Sequence, residues 1–223
     1  MINAKDLKFL KHLYKAHPWH GVSIGEGFPD VVTVYIEVVP NDTVKYELDK
    51  NSGLLVIDRP QRFSNVSPTL YGMLPQTYCG NRVAQYCKQM SGIDAQGDKD
   101  PLDICVLTEK LVPHGDILLT ARPIGGFRMI DNGEVDDKII AVMKDDASYG
   151  EWGDLSDCPR KVIDRLEHYF LTYKAPPKGK DKCCKIIDKY NKKEAHTVIK
   201  YAYEDYAEEY NNVMNVFNAI GEK

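Results

Sequence analysis

Between residues 31 and 143 the hydrophobic positions fall in short runs rich in β-branched residues, separated by polar or glycine-containing connections. Such runs predict β-strands. The predicted strands cover residues 31–39, 44–48, 54–58, 102–107, 116–124, 126–130 and 138–143. The DKNSG segment at 49–53 predicts a turn, and Asn132-Gly133 predicts a hairpin. Short strands at this spacing indicate a closed or nearly closed β-barrel over about residues 31–145.

On either side of this region the hydrophobic spacing becomes helical. Leu7, Leu10, Leu13 and Tyr14 predict one amphipathic helix within the first fifteen residues. A second helix is predicted after Asp157, a candidate N-cap, and Pro159. Its apolar stripe consists of Val162, Ile163, Leu166, Tyr169, Phe170 and Tyr173. A basic loop at 174–185 follows, and a last helix is predicted from about Lys193, so that the C-terminal helices cover about 159–219 of one domain spanning 1–223.

Composition excludes several classes of protein. The chain has 223 residues, 43% of them hydrophobic, which is enough to bury a substantial core. Its formal charge of −4 argues against binding to nucleic acid or to an anionic membrane, since both favour a basic surface. No apolar run has the length of a signal-peptide core or a membrane span, which predicts a soluble, cytoplasmic protein. The six cysteines show no zinc-finger or disulfide-rich spacing and are expected to be free thiols.

The stretch Gln96–Leu107 places Asp98, Asp100 and Asp103 together at the start of a predicted strand. Like charges this close repel one another, so a cation is expected nearby. Asp98 and Asp100 share parity in an extended chain, whereas Asp103 joins them only if the backbone bends near Pro101. From these residues alone, a solvated turn and a site for a hard cation remain comparable interpretations.

A second acidic run, Asp131 to Lys138, also lies at a strand end, where it could equally be a polar turn. If a barrel brings the two runs to one rim, oxygen ligands without histidine favour Mg²⁺ held together with a phosphate substrate. Lys45, Arg59 and Lys174 are either solvated surface charges or groups that bind such a phosphate.

These residues resemble the soluble family I inorganic pyrophosphatases. The signature of that family is an acidic residue, a spacer, then Asp-Pro, a hydrophobic residue and Asp, which here is Asp98 to Asp103 with Lys99 where glycine is frequent. Supporting segments follow in family order across residues 31–180, namely YIEVVP, VKYELDKNSG, IDRP, LYG, the run 131–138 and TYK. Ser67 stands where the family often has a second active-site tyrosine.

The resemblance implies a mainly β fold with α-helices (α+β): an OB-like, five-stranded closed barrel with additional strands and flanking helices. It also implies hydrolysis of pyrophosphate, with several Mg²⁺ ions in each active site and Mn²⁺ or other divalent ions as substitutes. Asp98, Asp103 and Asp136 correspond to tight metal ligands, and Asp131 and Glu47 to ligands of ions that arrive with substrate. Asp100 corresponds to the general base and Glu37 to a supporting acid. The phosphate-binding set corresponds to Lys45, Arg59, Tyr71, Lys138, Tyr173 and Lys174. Relatives are homo-oligomers, which implies an oligomer here, with a hexamer favoured over a dimer.

Three other interpretations remain at this stage. A magnesium-dependent hydrolase of nucleotides would need an aromatic shelf, for which Tyr71, Tyr78 and Tyr86 are candidates. A non-catalytic OB-type nucleic-acid binder would need a basic groove with stacking aromatic residues, and the acidic runs speak against it. An inactive structural relative would leave the carboxylate set without a role.

Overall fold

A closed ring of five strands forms the centre of the fold in the computed structural model, which describes residues 15–62, 64–174, 184–213 and 215. The strands are β1 (Val32–Val38), β2 (Val44–Leu48), β3 (Leu55–Pro60), β4 (Leu70–Met73), β5 (Gln96–Gly97), β6 (Asp103–Leu107), β7 (Ile117–Asp131), β8 (Glu134–Val135), β9 (Lys138–Met143) and β10 (Cys184–Asn191). The ring runs β1-β4-β6-β9-β7 and closes because β7 also pairs with β1. The predicted fold class is confirmed.

The β-branched runs form the ring because their alternate side chains fill its interior. Val32, Val34 and Ile36 of β1 are fully buried, and Ile104, Val106 and Ile139 from the facing strands join the same core. The separate β2–β3 hairpin turns where predicted, with Gly53 at φ +70° donating its N–H to the carbonyl of Asp49 at 2.8 Å.

The predicted break between two strands at Gly125-Gly126 is wrong, because β7 runs unbroken through both glycines with a bulge after Pro123. Strand β10, which the sequence pattern did not predict, pairs with this half of β7. A Cβ on Gly126 would lie 2.4 Å from the Tyr190 ring, and one on Gly125 would lie 2.5 Å from the Tyr190 carbonyl oxygen. The two glycines therefore permit close packing against β10 and do not end the strand.

Three helices cover the outside of the described chain: α1 (Asn81–Ser91), α2 (Arg160–Thr172) and α3 (Lys192–Glu209). Helix α1 was not predicted, whereas α2 buries Ile163, Leu166 and Phe170 of its predicted stripe. Asp157 does not cap α2, because its carboxylate accepts the N–H groups of Gly153 and Asp154 in the preceding turn.

Helix α3 starts one residue before the expected Lys193 and is capped by the Asn191 side chain. The predicted N-terminal helix and most of the predicted basic loop lie outside the described residues. No helix of the described chain is both long and apolar enough to span a membrane. Cys79, Cys87, Cys105 and Cys158 are free thiols, as expected.

The topology brings distant segments to one end of the ring. Strands β6 and β9 are parallel, and Asp103 at the start of β6 pairs with Lys138 at the start of β9. Strand β7 runs antiparallel to β9 and ends at Asp131, so its last residues reach the same end. Both acidic runs therefore lie at a single rim.

Candidate active site

A cleft of about 340 Å³ opens at this rim. It is lined by all thirteen site residues predicted from the sequence, namely Glu37, Lys45, Glu47, Arg59, Tyr71, Asp98, Asp100, Asp103, Asp131, Asp136, Lys138, Tyr173 and Lys174. They come from β1, the β2–β3 hairpin, β4, the loop before β6, the β7–β9 segment and the end of α2. Convergence of these segments, only an assumption at the level of sequence, is thus present in the fold.

The acidic loop, residues Asp98–Asp103, bends at Lys99, where φ is +66°. The expected bend at Pro101 therefore occurs two residues earlier. A left-handed conformation costs an L-residue about 1 kcal/mol, which explains physically why glycine is suited to this position. The loop is held by the main chain of Cys79, whose N–H donates to the Asp100 carbonyl at 2.8 Å and whose carbonyl accepts from Lys99 N–H at 3.1 Å. The Asp100 N–H donates to the Asp98 carboxylate at 3.0 Å.

Lys138 lies between two of the predicted metal ligands. Its side chain is only 2% exposed, and its ammonium group donates to the carboxylates of both Asp103 and Asp136. Burial lowers the pKa of Lys138, but the two carboxylates outweigh burial and raise it well above its ordinary value. The Tyr71 hydroxyl donates to the same oxygen of Asp103, Oδ2, at 2.5 Å, and burial together with Asp103 raises the pKa of this phenol. Both groups therefore remain protonated donors.

The carboxylates that line the cleft outnumber its basic side chains. Burial, and then the neighbouring Asp136, raises the pKa of Asp98. Burial, and then Asp103, raises the pKa of Glu37 to about 8, although the Leu48 N–H donates to its carboxylate at 2.8 Å. Acidic groups with pKa values raised in this way are expected where a bound cation normally balances the charge.

The β2–β3 hairpin contributes two basic side chains to the cleft, Lys45 and Arg59. Lys45 of β2 donates to Glu47 at 2.7 Å and to Asp58 at 3.1 Å. Arg59 also pairs with Asp58, and its guanidinium carbon lies 5.9 Å from the centre of the Tyr173 ring.

One of the Arg59 nitrogens, Nη2, is buried and has no hydrogen-bond partner anywhere in the described chain. A buried guanidinium N–H without an acceptor is suited to an anionic ligand.

Lys174 and Asp131 form a further ion pair at the end of β7. Burial raises the pKa of Asp131, but the hydrogen bond from Lys174 outweighs it, and the pKa lies below its ordinary value. Cys184 of β10 faces Asp131 across the strand pair and donates its thiol to the other carboxylate oxygen at 3.3 Å. Asp131 therefore remains ionised and fixed in position.

Sequence reasoning missed four polar residues that also line the cleft: Lys50, Asp58, Asn132 and Glu134. Lys50 pairs with Asp100, but its place in the DKNSG turn made it look like an ordinary turn residue. Asp58 directly precedes Arg59 in the IDRP segment and could have been found from its neighbour. Ser67 is buried and donates to the Thr69 carbonyl at 2.8 Å, so it does not supply a second hydroxyl to the cleft.

The donor set suits hard divalent ions, since every candidate ligand is a carboxylate. Within the described residues, no three acidic, histidine or cysteine side chains already stand as a preformed metal cage. In this arrangement the Lys138 ammonium contacts the carboxylates that a cation would otherwise bridge. The residues fit a divalent ion provided that Lys138 moves from its position between Asp103 and Asp136.

A sequence model of the family described as inorganic pyrophosphatase matches residues 34–207, a range that contains all thirteen predicted site residues. This chain belongs to the inorganic pyrophosphatase family. The inorganic pyrophosphatase of Chlamydia muridarum is 55% identical over 195 residues, which are 85% of this chain and 93% of that protein. Soluble inorganic pyrophosphatase 1 of Arabidopsis thaliana is 37% identical over 193 residues, covering 86% of this chain and 81% of its own length.

Structural comparison agrees with the family. The crystal structure of inorganic pyrophosphatase from Thermus thermophilus has a TM-score of 0.71 and 28% identity, and the match covers 85% of this chain and 98% of that one. The predicted membership of the pyrophosphatase family is therefore confirmed.

Proposed function

We propose that this chain hydrolyses inorganic pyrophosphate to two orthophosphates with the help of bound divalent metal ions, Asp100 acting as the general base. Family membership makes it an inorganic diphosphatase. The observation that carries the proposed mechanism is the cleft itself, which carboxylates from separate strands line together with the basic residues Lys45, Arg59 and Lys174.

Asp98, Asp103 and Asp136 would hold the tighter metal ions, and Asp131 with Glu47 would hold ions that enter with the substrate. Mg²⁺ is the preferred ion because the candidate ligands are carboxylate oxygens, and Mn²⁺ is a suitable substitute. When bound, such ions lower the pKa of a coordinated water and neutralise charge on the phosphoryl oxygens.

Asp100 is suited to accept the proton of the attacking water. Its side chain is 40% exposed, so it can reach water in the cleft, and Lys50 is paired with it. The Cys79 main chain fixes the Asp100 backbone at the cleft wall. Glu37 supports the site from behind by binding the Leu48 N–H at the end of β2.

The departing phosphate gains negative charge during the reaction, and the basic residues of the cleft stabilise it. Arg59 can bind it through the unpaired Nη2 group. Lys45, Lys138 and Lys174 supply further positive charge. Burial raises the pKa of both the Tyr71 and the Tyr173 phenol, so both stay protonated, and Tyr71 can donate to the phosphate once it releases Asp103.

The structure weighs against a nucleotide and against a nucleic acid as the ligand of the cleft. Tyr78 and Tyr86 pack on Tyr210 and Tyr201, respectively, and neither lines the cleft, so the proposed nucleotide shelf loses two of its three members. Tyr71 is committed to Asp103. An OB-type nucleic-acid binder would not place this many carboxylates in its groove.

The decisive experiment compares phosphate release from pyrophosphate and from ATP, with Mg²⁺ and with EDTA. We expect Mg²⁺-dependent release from pyrophosphate, and a loss of at least about 100-fold in Asp100→Asn, because a positioned general base contributes at least that factor. Asp164→Asn is the matched control, since Asp164 lies on α2 outside the cleft. Equal rates for Asp100→Asn and wild type would remove Asp100 from this role, and hydrolysis of ATP without pyrophosphate would favour a nucleotide hydrolase.

We also propose a single domain spanning 1–223, a cytoplasmic location and a homo-oligomer, a hexamer being favoured over a dimer. The free thiols of Cys79, Cys87, Cys105 and Cys158 support the cytoplasmic location. Sedimentation equilibrium of the full chain tests the oligomer, and a monomer at micromolar concentration would contradict it.

A further inference from the structure

A second cluster of buried charges lies behind the active site, on the opposite side of β7 and β9. Arg128 is completely buried, and Asp137 is only 2% exposed. Neither residue lines the cleft. The Arg128 guanidinium pairs with Glu194 at the start of α3 and lies 5.3 Å from the centre of the Tyr190 ring on β10. The mechanism proposed above uses none of these side chains.

Asp137 belongs to a short link of irregular backbone between β8 and β9. The link is held by Met129 of β7, whose carbonyl accepts the Asp136 N–H at 2.9 Å and whose N–H donates to the Asp137 carboxylate at 3.2 Å. The Asp137 side chain thus replaces the backbone acceptor that a continuous strand would have supplied. Its second oxygen accepts from the Tyr190 hydroxyl at 3.2 Å.

The contacts of Asp137 also determine the position of the adjacent Asp136. Because Met129 binds both the Asp136 N–H and the Asp137 carboxylate, the backbone that carries Asp136 is held in place while the Asp136 side chain lines the cleft. Asp136 and Lys138 are indeed in contact on that side. If the link were released, Asp136 could turn away from Asp98 and Asp103 although its own side chain was unchanged.

The positive charge of Arg128 offsets part of the cost of burying a carboxylate at this place, which for an unpaired buried charge would be several kcal/mol. Nε and Nη1 of Arg128 are buried without a hydrogen-bond partner among the described residues, although Nη1 lies 3.6 Å from the carboxylate of Asp188. Burial, the larger effect, raises the pKa of Asp137, and the charge of Arg128 opposes this rise.

We infer that Asp137 is a positioning residue for the metal-ion site, holding Asp136 in the cleft through Met129 and Tyr190. The inference rests on the proposed function, because it assumes that Asp136 is a metal ligand. Groups that orient a metal ligand from behind typically change metal affinity by about 10-fold to 100-fold when they are removed.

The test measures Mn²⁺ binding to the full-length, substrate-free protein by electron paramagnetic resonance, and Mg²⁺ dependence of pyrophosphate hydrolysis. In Asp137→Ala we expect Mn²⁺ affinity to fall by about 10-fold or more. Activity should recover to within about 3-fold of wild type at saturating Mg²⁺, because the variant keeps every residue that touches substrate. Asp137→Asn should retain most of the affinity, since an amide can still accept from Met129 N–H and donate to the Tyr190 hydroxyl.

Val198→Ala is the control for simple destabilisation. Val198 is buried in α3 and does not line the cleft, so this variant should lose stability while binding Mn²⁺ like wild type. Tyr190→Phe removes one of the two contacts of Asp137, and we expect it to weaken Mn²⁺ binding by about 3-fold, which decides the matter if Asp137→Ala does not fold.

Unchanged Mn²⁺ affinity in Asp137→Ala, or in Tyr190→Phe where the alanine variant does not fold, would overturn the inference while leaving the proposed function intact. An activity loss in Asp137→Ala that excess Mg²⁺ does not restore would overturn it as well. If wild type itself binds no Mn²⁺, the metal assignment fails, and the positioning role fails with it.

Discussion

Replacing Lys138 by methionine tests how much stability the cleft gains from the charge of the lysine and how much of it a bound metal ion can supply instead. The lysine side chain is 2% exposed and contacts Asp103 and Asp136, whose side chains are 22% and 12% exposed. Removing one partner of a buried ion pair typically costs about 3–5 kcal/mol. Since Asp103 retains access to water, we expect the lower end, about 3 kcal/mol, which lowers the melting temperature by about 6–12 °C for a chain of this size.

The assay is thermal unfolding of wild type and Lys138→Met, first in EDTA and then in Mg²⁺. Because an ion stabilises the folded state by RT ln(1 + [L]/Kd), a Mg²⁺ concentration about 100 times the dissociation constant of the variant and about equal to that of wild type stabilises them by about 2.7 and about 0.4 kcal/mol, respectively. Because methionine no longer competes for Asp103 and Asp136, the ion should bind the variant more tightly than wild type, and most of the deficit should disappear in Mg²⁺.

Lys110→Met is the matched control, because Lys110 is 66% exposed and, among the described residues, pairs with Glu109 alone. A surface pair of this kind contributes about 0–1 kcal/mol, so this variant should melt close to wild type in both buffers. A Lys138→Met deficit of equal size with and without Mg²⁺ would refute the reasoning, as would the absence of a deficit in EDTA.

Three further outcomes are expected. Asp205 accepts the N–H groups of Gly80, Arg82 and Val83 at the start of α1. We therefore expect urea unfolding to show a loss of about 2–3 kcal/mol in Asp205→Ala and about half as much in Asp205→Asn. A loss below about 1 kcal/mol in Asp205→Ala would contradict this.

Burial, and then His17, lowers the pKa of His20 to about 4, so the unfolded state binds the proton first and stability falls as pH drops from about 6.5 towards 4. Because the ring is partly exposed, the effect is reduced, and we expect the unfolding free energy of His20→Gln to fall by about 1 kcal/mol less than that of wild type between pH 7 and 4.5. A urea unfolding midpoint that changes equally with pH in both proteins would contradict this. Tyr71→Phe loses the 2.5 Å hydrogen bond to Asp103 and should lower kcat/KM for pyrophosphate by about 10-fold, whereas an unchanged value would show that the bond has no role.

Local pattern predicted most of the secondary structure. Runs of β-branched residues correctly indicated β1, β2, β3, β6 and β9, and the apolar stripe indicated α2. Helix α1 escaped prediction because most of its residues are polar and only Val83 and Cys87 among them are buried. Strand β10 escaped because it follows a lysine-rich segment and buries only Cys184 and Tyr190, so its alternation is incomplete.

The residues predicted for the candidate site lie in short motifs with fixed spacing. All thirteen predicted residues line one cleft. The motifs nevertheless left the bend of the acidic loop unassigned, and it falls at Lys99, where main-chain contacts from Cys79 hold it. A backbone conformation maintained by a distant segment has no signal in its own sequence.

By itself, therefore, the sequence determined which residues carry charge at strand ends and which family motifs they form, since propensity and spacing are local properties. Only the tertiary structure decided that β6 and β9 start side by side, that Lys138 lies between Asp103 and Asp136, and that Asp137 is anchored to Met129 and Tyr190. The physical reason is that each of these contacts depends on strand register and on burial, which arise from closure of the ring and from no single segment of the chain.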